Sequence, residues 1–231
     1  GVWVHLYHNS RLDWHLDDGA ALALEQKTRY PWSGEVEIEV SPAAPRTFTL
    51  FVRVPGWSRQ TRVSVNGRAV SDPVRPGEYL ALRREWKRGD RARIELDLAP
   101  RLTAANPRVA ENHGKVAVER GPLVYCLEGA DHPGLESLFD AALELSGGAR
   151  FRLEERAMLG GIVALKHPGA AWTPTLESEP LYTGFEDAAR RRRRPVELTF
   201  IPYYAWANRG PGEMRVWIPV APPAARPGAR R

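Results

Sequence analysis

Cysteine is almost missing from this chain: Cys126 stands alone among 231 residues. One thiol can close no internal disulfide and can build no thiolate metal cluster within the chain. Long apolar runs are missing too. No stretch approaches the ~20 residues that cross a bilayer as a helix, which excludes a transmembrane helix. The chain opens on GVWVHLY, with neither an initiator Met nor a basic segment leading into an apolar one. The expectation is that no signal peptide falls within these residues and that the natural N-terminus lies upstream. The compartment is then unreadable, with the cytoplasm favoured.

A broad excess of charge is also lacking. The net charge of +5 comes from 33 basic and 28 acidic residues, and the run Arg190 to Arg194 alone supplies five arginines. Basic charge is therefore not spread over a face, as a groove tracking phosphates requires, and no nucleic-acid partner is expected. A short arginine run before Pro195 reads as a solvated linker. No membrane partner is indicated.

What the chain does have is alternation. GEVEIEV sets Val36, Ile38 and Val40 on one side of a strand and Glu35, Glu37 and Glu39 on the other, the pattern of a half-buried strand. FTLFVRV, RVSVNGRAV, EYLALR and RARIELDL repeat it. Asn66-Gly67 marks a type I′ hairpin, because both residues accept positive φ. Strands broken by turns every 8–12 residues imply an antiparallel sandwich. After Pro100 come two apolar runs, Val116 to Val118 and Leu123 to Leu127, parted by Arg120-Gly121-Pro122. Phe151, Leu153, Ile162, Val163 and Leu165 are strand positions, and GLESLFDAAL alone has helical spacing. The expected fold is all-β with two antiparallel β-sandwich domains. Residues 1–104 form the first and 105–195 the second. Residues 196–220 return to complete the first, and 221–231 form a disordered tail.

Catalytic chemistry is hard to place on this pattern. Glycoside cleavage needs two carboxylates flanking one bond, whereas Glu35, Glu37 and Glu39 read as a solvated face. His5, His8, Asp13 and His15 could be metal ligands, but His5 and His8 point to opposite faces of a regular strand. Cys126 sits in an apolar strand pattern and packs as a small hydrophobe. Arg120, Cys126 and Glu128 share even numbering and could share a face. Eight tryptophans, Trp3, Trp14, Trp32, Trp57, Trp86, Trp172, Trp206 and Trp217, could stack on sugar rings or fill cores and domain contacts. No catalytic, cofactor-binding or metal-ligating residue is assigned.

Six blocks in order carry a resemblance: GVWVHLYHNS, YPWSGEVEIEV, FTLFVRVPGWSR with VSVNG, REWKRGDRARIELDL, GKVAVERGPLVYCLE and PYYAWANRGPGEMRVW. Together they resemble glycoside hydrolase family 127, the bacterial β-L-arabinofuranosidase-like proteins. The resemblance implies an N-terminal (α/α)6 barrel that performs catalysis, followed by two β-sandwiches. It implies a cysteine thiolate nucleophile positioned by zinc in that barrel. Cys126 lies in the wrong block to be the nucleophile or a zinc ligand, so no catalytic residue carries over. The implied role is that of a non-catalytic C-terminal β-sandwich region supporting the barrel. Dimerisation is a second role, and L-arabinose-containing glycans are reached through the barrel. In the final block Arg209 and Glu213 are expected to pair, with Trp206 and Trp217 as packing residues. Two alternatives stay open: a self-standing carbohydrate-binding module, which needs exposed and roughly coplanar aromatics, and an independent enzyme, which needs convergent ionisable groups in one pocket.

Overall fold

The computed structural model describes residues 1–146, 148–172, 182, 184 and 192–221. They fall into two compact units, Gly1–Ala99 and the remainder from Pro100. Among the described residues no helix reaches seven residues, so the all-β expectation holds.

The first unit contains β1 (Val2–Val4), β2 (Ser10–His15), β3 (Ala21–Thr28), β4 (Glu35–Pro42), β5 (Arg46–Arg53), β6 (Arg62–Val65), β7 (Arg68–Ala69), β8 (Tyr79–Trp86) and β9 (Asp90–Glu95). These make a three-stranded sheet in the order β1-β5-β8 and a six-stranded sheet in the order β2-β3-β4-β9-β6-β7. The pairing is antiparallel except between β1 and β5. Alternation dictates the arrangement. Val36, Ile38 and Val40 are fully buried beside Leu50, Val52 and Ile94, and burying each such side chain contributes about 1.5–3 kcal/mol. Glu37 and Glu39 occupy the opposite face of β4, across the ladder from Arg93 and Arg91. The glutamates thus form a solvated, cross-strand charged face rather than a catalytic pair. The Asn66-Gly67 turn has φ of 49° and 77°, the positive pair that a type I′ hairpin requires. Gly34 is required for another reason: a Cβ there would lie 2.1 Å from the Leu96 carbonyl oxygen.

The second unit contains β10 (Arg101–Ala104), β11 (Lys115–Arg120), β12 (Leu123–Glu128), β13 (Ala141–Leu143), β14 (Arg152–Arg156), β15 (Ile162–Trp172), β16 (Arg193–Pro202), β17 (Met214–Arg215) and β18 (Ile218–Pro219). All nine belong to one hydrogen-bonded sheet with the main order β10-β11-β12-β16-β15-β13. The sheet curls around its own core. That core holds Val118, Tyr125, Leu127, Leu165, Leu198, Phe200 and Ile218.

This topology corrects the expected domain organisation. Residues 196–220 do not complete the first unit. Strand β16 pairs with β12 and β15, β17 with β12, and β18 with β11. The reason is apolar matching: Leu198 and Phe200 enter the core of Tyr125 and Leu127, and Ile218 lies opposite Val116. The boundary also moves from 104 to Ala99/Pro100, because Arg101–Ala104 pair with β11. Arg193 and Arg194 of the arginine run are strand residues paired with Trp172 and Ala171, not linker. Arg190 and Arg191 lie outside the described residues. So does the expected tail apart from Ala221, which is buried and donates its N–H to the Leu143 carbonyl. GLESLFDAAL forms no α-helix. Its Leu138–Asp140 segment is a 3-10 turn, and the residues that follow become β13, whose alanines and Leu143 are fully buried.

Candidate functional site

The densest polar chemistry lies in the second unit, on the side of β12 that bears Cys126 and Glu128. Glu128 ends β12 and is 1% exposed. A carboxylate so buried is costly unless its oxygens are met by donors. One Glu128 oxygen accepts the Ala207 N–H at 3.0 Å, and the other accepts Arg209 through Nε at 3.1 Å and through Nη2. Arg209 also donates to both oxygens of Asp131, at 2.8 and 2.6 Å. Arg156 reaches the same carboxylate at 2.7 Å and continues to Glu154. Burial opposes ionisation of Asp131, but the bonds from Arg209 and Arg156 win and hold its carboxyl below the usual range. Hydrogen bonding by Asp131 pushes the Arg209 guanidinium upward.

His132 completes the cluster. The Thr199 N–H can only donate, and it lies 3.0 Å from His132 Nε2. That nitrogen must accept, so the ring is neutral and Nδ1 carries the proton, which it donates to the Glu128 carbonyl oxygen at 2.8 Å. Burial depresses the His132 pKa, in agreement with this tautomer.

The expected Arg209–Glu213 clamp is therefore replaced. The Gly210-Pro211-Gly212 turn carries Glu213 away, and its carboxylate accepts from Ser137 Oγ at 3.0 Å and from the Leu138 N–H at 2.6 Å. Sequence proximity suggested the wrong partner. The signal for the right one was Glu128 itself, an acid closing an apolar run. Arg120 does not join Cys126 and Glu128, since its ladder partner is Leu123 and the turn at Gly121 separates the faces. Cys126 is fully buried. Burial first, and then the charges of Glu128 and Asp131, push its thiol up to about 12. At neutral pH it stays protonated and is a poor nucleophile.

The remaining candidates do not converge. His5 Nδ1 meets the Tyr79 hydroxyl at 2.5 Å, His8 donates to the Asn9 carbonyl, and Asp13 holds Arg11 at 2.9 and 3.0 Å. Among the described residues no three His, Cys, Asp or Glu side chains could hold a metal ion together. A trough of about 510 Å³ on the six-stranded sheet is lined by Asp13, His15, Glu25, Glu39, Ser41 and Arg88 among others. Its carboxylates already face Arg11, Lys27 and Arg91.

The tryptophans divide by burial. Trp86 is fully buried and donates to the Phe48 carbonyl, and Trp57 packs on the first core beside Tyr30. Trp32, Trp172 and Trp217 are half-buried. Trp3, Trp14 and Trp206 are exposed. Trp3 stacks on Phe51 with Tyr79 at its edge. At the edge strands β1 and β2 a groove of about 200 Å³ is lined by Val2, Leu6, Leu12, Leu24 and Gln26 among others. Leu6 and Trp14 are 65% and 60% exposed. Leu12 and Trp14 pair with the buried Leu24 and Leu22 and so occupy the core-facing side of β2, yet both remain exposed.

Residues 1–98 match the domain family described as "Beta-L-arabinofuranosidase, GH127 middle domain", and residues 100–219 match "Glycoside hydrolase family 127 C-terminal domain". The boundary between the two matches coincides with that between the structural units. A non-reducing end β-L-arabinofuranosidase of Bifidobacterium longum subsp. longum is 36% identical over 205 residues, which cover 86% of this chain and 30% of that protein. The crystal structure of a GH127 β-L-arabinofuranosidase from Geobacillus stearothermophilus T6 superposes with a TM-score of 0.85 at 35% identity, covering 95% of this chain and 33% of that one. A structure described as a glycoside hydrolase gives 0.86 at 33% identity, covering 95% and 36%. The chain thus spans about a third of the length of these relatives.

The His132 geometry makes a pH prediction. Its folded pKa lies below the unfolded value, so the unfolded chain binds the extra proton more readily. The stability it contributes is complete above about 6.5 and is lost as pH falls below that value. Urea unfolding of the wild type between pH 7.5 and 5 should show stability falling with acid, at most about 1.4 kcal/mol per pH unit from this one group. His132→Gln should show a shallower fall over the same range. Parallel pH profiles in the two proteins would contradict the assignment.

Proposed function

The chain belongs to glycoside hydrolase family 127, and from that premise we propose that it is the non-catalytic β-region of a β-L-arabinofuranosidase-like enzyme. In this reading it packs against an (α/α)6 barrel that holds the zinc and thiolate and acts on L-arabinose-containing glycans. The observation that carries the proposal is coverage. The chain matches the middle and C-terminal domains in order over residues 1–219, yet spans only about a third of its relatives. The chemistry of the chain supports it. Its only thiol is buried and protonated, and Glu128 and Asp131, the acids nearest that thiol along the chain, are bonded to arginines.

The open edge of the first unit supports the structural role. Apolar side chains on the core-facing side of β2 have no reason to face water unless another surface covers them. Gln26 lines the same groove, where its Nε2 donates to Ser10 Oγ. In the isolated chain the same edge offers a surface for pairing two copies, which is how dimerisation would arise.

Two measurements test this. The purified chain, assayed on a chromogenic β-L-arabinofuranoside with added zinc and reductant, should give the same background signal as Cys126→Ser. Turnover that disappears in the variant would overturn the non-catalytic reading. In sedimentation velocity the chain should self-associate with rising concentration, and the double substitution Leu6→Glu and Trp14→Glu should make it monodisperse. A wild-type chain that stays monomeric at all concentrations would argue for an autonomous module.

A further inference from the structure

Residues 203–210 leave β16 as a 3-10 turn, Tyr203–Ala205, and then cross over Glu128. The path is tightly determined. Trp206 donates its N–H to the Tyr203 carbonyl at 3.1 Å, and Asn208 Nδ2 donates to the Ala205 and Trp206 carbonyls at 3.1 and 3.2 Å. Ala207 has φ of 63°, a left-handed conformation that costs a residue with a Cβ about 1–2 kcal/mol. It is held there by the bond from its N–H to the Glu128 carboxylate. Strain kept in place by an over-determined surrounding is a mark of functional loops.

This rigid loop displays aromatic rings outward. Tyr203, Tyr204 and Trp206 are 47%, 52% and 36% exposed. The rings of Tyr203 and Trp206 lie only 22° from parallel, with centroids 6.4 Å apart. Neither is among the residues of the second core, and each keeps a third to a half of its surface open to solvent. The other exposed residues of the stretch are Ala207, Asn208, Arg209 and Gly210. It offers no Leu, Ile, Val or Met of the kind that fills a protein–protein interface core. Rigid amphipathic rings give contact area at low entropic cost, and polar neighbours supply adaptable hydrogen bonds.

We propose that Tyr203 and Trp206 form a saccharide-binding platform, on which the apolar C–H face of a sugar ring stacks while Asn208 and the Tyr204 hydroxyl bond its hydroxyl groups. The choice of sugar, an L-arabinose-containing glycan, rests on the family reading. The platform itself rests on the loop geometry and holds or fails independently of whether the chain hydrolyses anything.

The test is affinity electrophoresis of the purified chain through gels containing branched arabinan, with a mannan gel as control, backed by titration of tryptophan fluorescence with arabino-oligosaccharides. The wild type should be retarded by arabinan. Trp206→Ala and Tyr203→Ala should each weaken binding by about tenfold or more, with circular dichroism and melting curves showing the fold intact. Trp206→Phe should keep most of the affinity. Trp14→Ala, which removes an exposed indole in the other unit, should leave it unchanged. No retardation of the wild type would overturn the proposal, as would retardation that survives both alanine substitutions. Loss of self-association in Trp206→Ala without any glycan binding by the wild type would assign the loop to protein contact and would equally overturn it.

Discussion

A carboxylate sealed at the end of a strand must be answered by donors, and in this chain the demand of Glu128 is met by the loop that follows β16. Leaving such a charge unpaired costs several kcal/mol, which is comparable to the whole stability of many domains. The donors come from residues about 80 positions later, the Ala207 N–H and the Arg209 guanidinium. Their arrival fixes the loop over β12. The same guanidinium bridges to Asp131 and, through it, to Arg156 of β14. Two buried carboxylates, Glu128 and Asp131, thereby link β12, the loop after β16, and β14.

That linkage explains why the C-terminal strands belong to the second unit. Once the 203–210 loop is tied to Glu128, β17 has β12 within reach and β18 has β11. Apolar matching does the rest, as Ile218 closes over Val116 and joins Val118 and Tyr125. The second unit is thus contiguous in sequence and made of one curled sheet, while the first is a sandwich whose two sheets differ in strand number. Leu12 and Trp14, on the core-facing side of β2, remain exposed. The one thiol is buried with a raised pKa, and the neighbouring Glu128 and Asp131 are paired with Arg209.

Local patterns were legible in the sequence and remote partnerships were not. Period-two alternation revealed β4, β5, β8 and β9, and Asn66-Gly67 revealed its hairpin, because these signals depend on neighbours a few residues apart. The six blocks revealed the family, and with it the two β-domains. The destination of residues 196–220 was misjudged. A strand's own pattern says which face is apolar, not which sheet receives it. Arg209 and Glu213 do not pair, because Gly210, with φ of 106°, turns the chain between them. The helical spacing of GLESLFDAAL failed for a related reason. Its small apolar residues suit a buried strand as well as a helix, and Ala141–Leu143 pair with β15. Trp206 lay beyond local inference altogether, because exposure is a property of the folded unit.

The central claim is that Glu128 and Arg209 act as one unit in holding the C-terminal loop and strands on β12. A double-mutant cycle measured by urea unfolding tests it most directly, with Glu128→Gln, Arg209→Met and the combined variant. Arg209→Met should destabilise by about 3–5 kcal/mol, since it leaves the buried Glu128 carboxylate without its partner, and Glu128→Gln should cost less, because Arg209 reaches solvent and keeps Asp131. The double variant should lose less than the two singles together by about 1–3 kcal/mol. Strict additivity, within about 0.5 kcal/mol, would contradict the account.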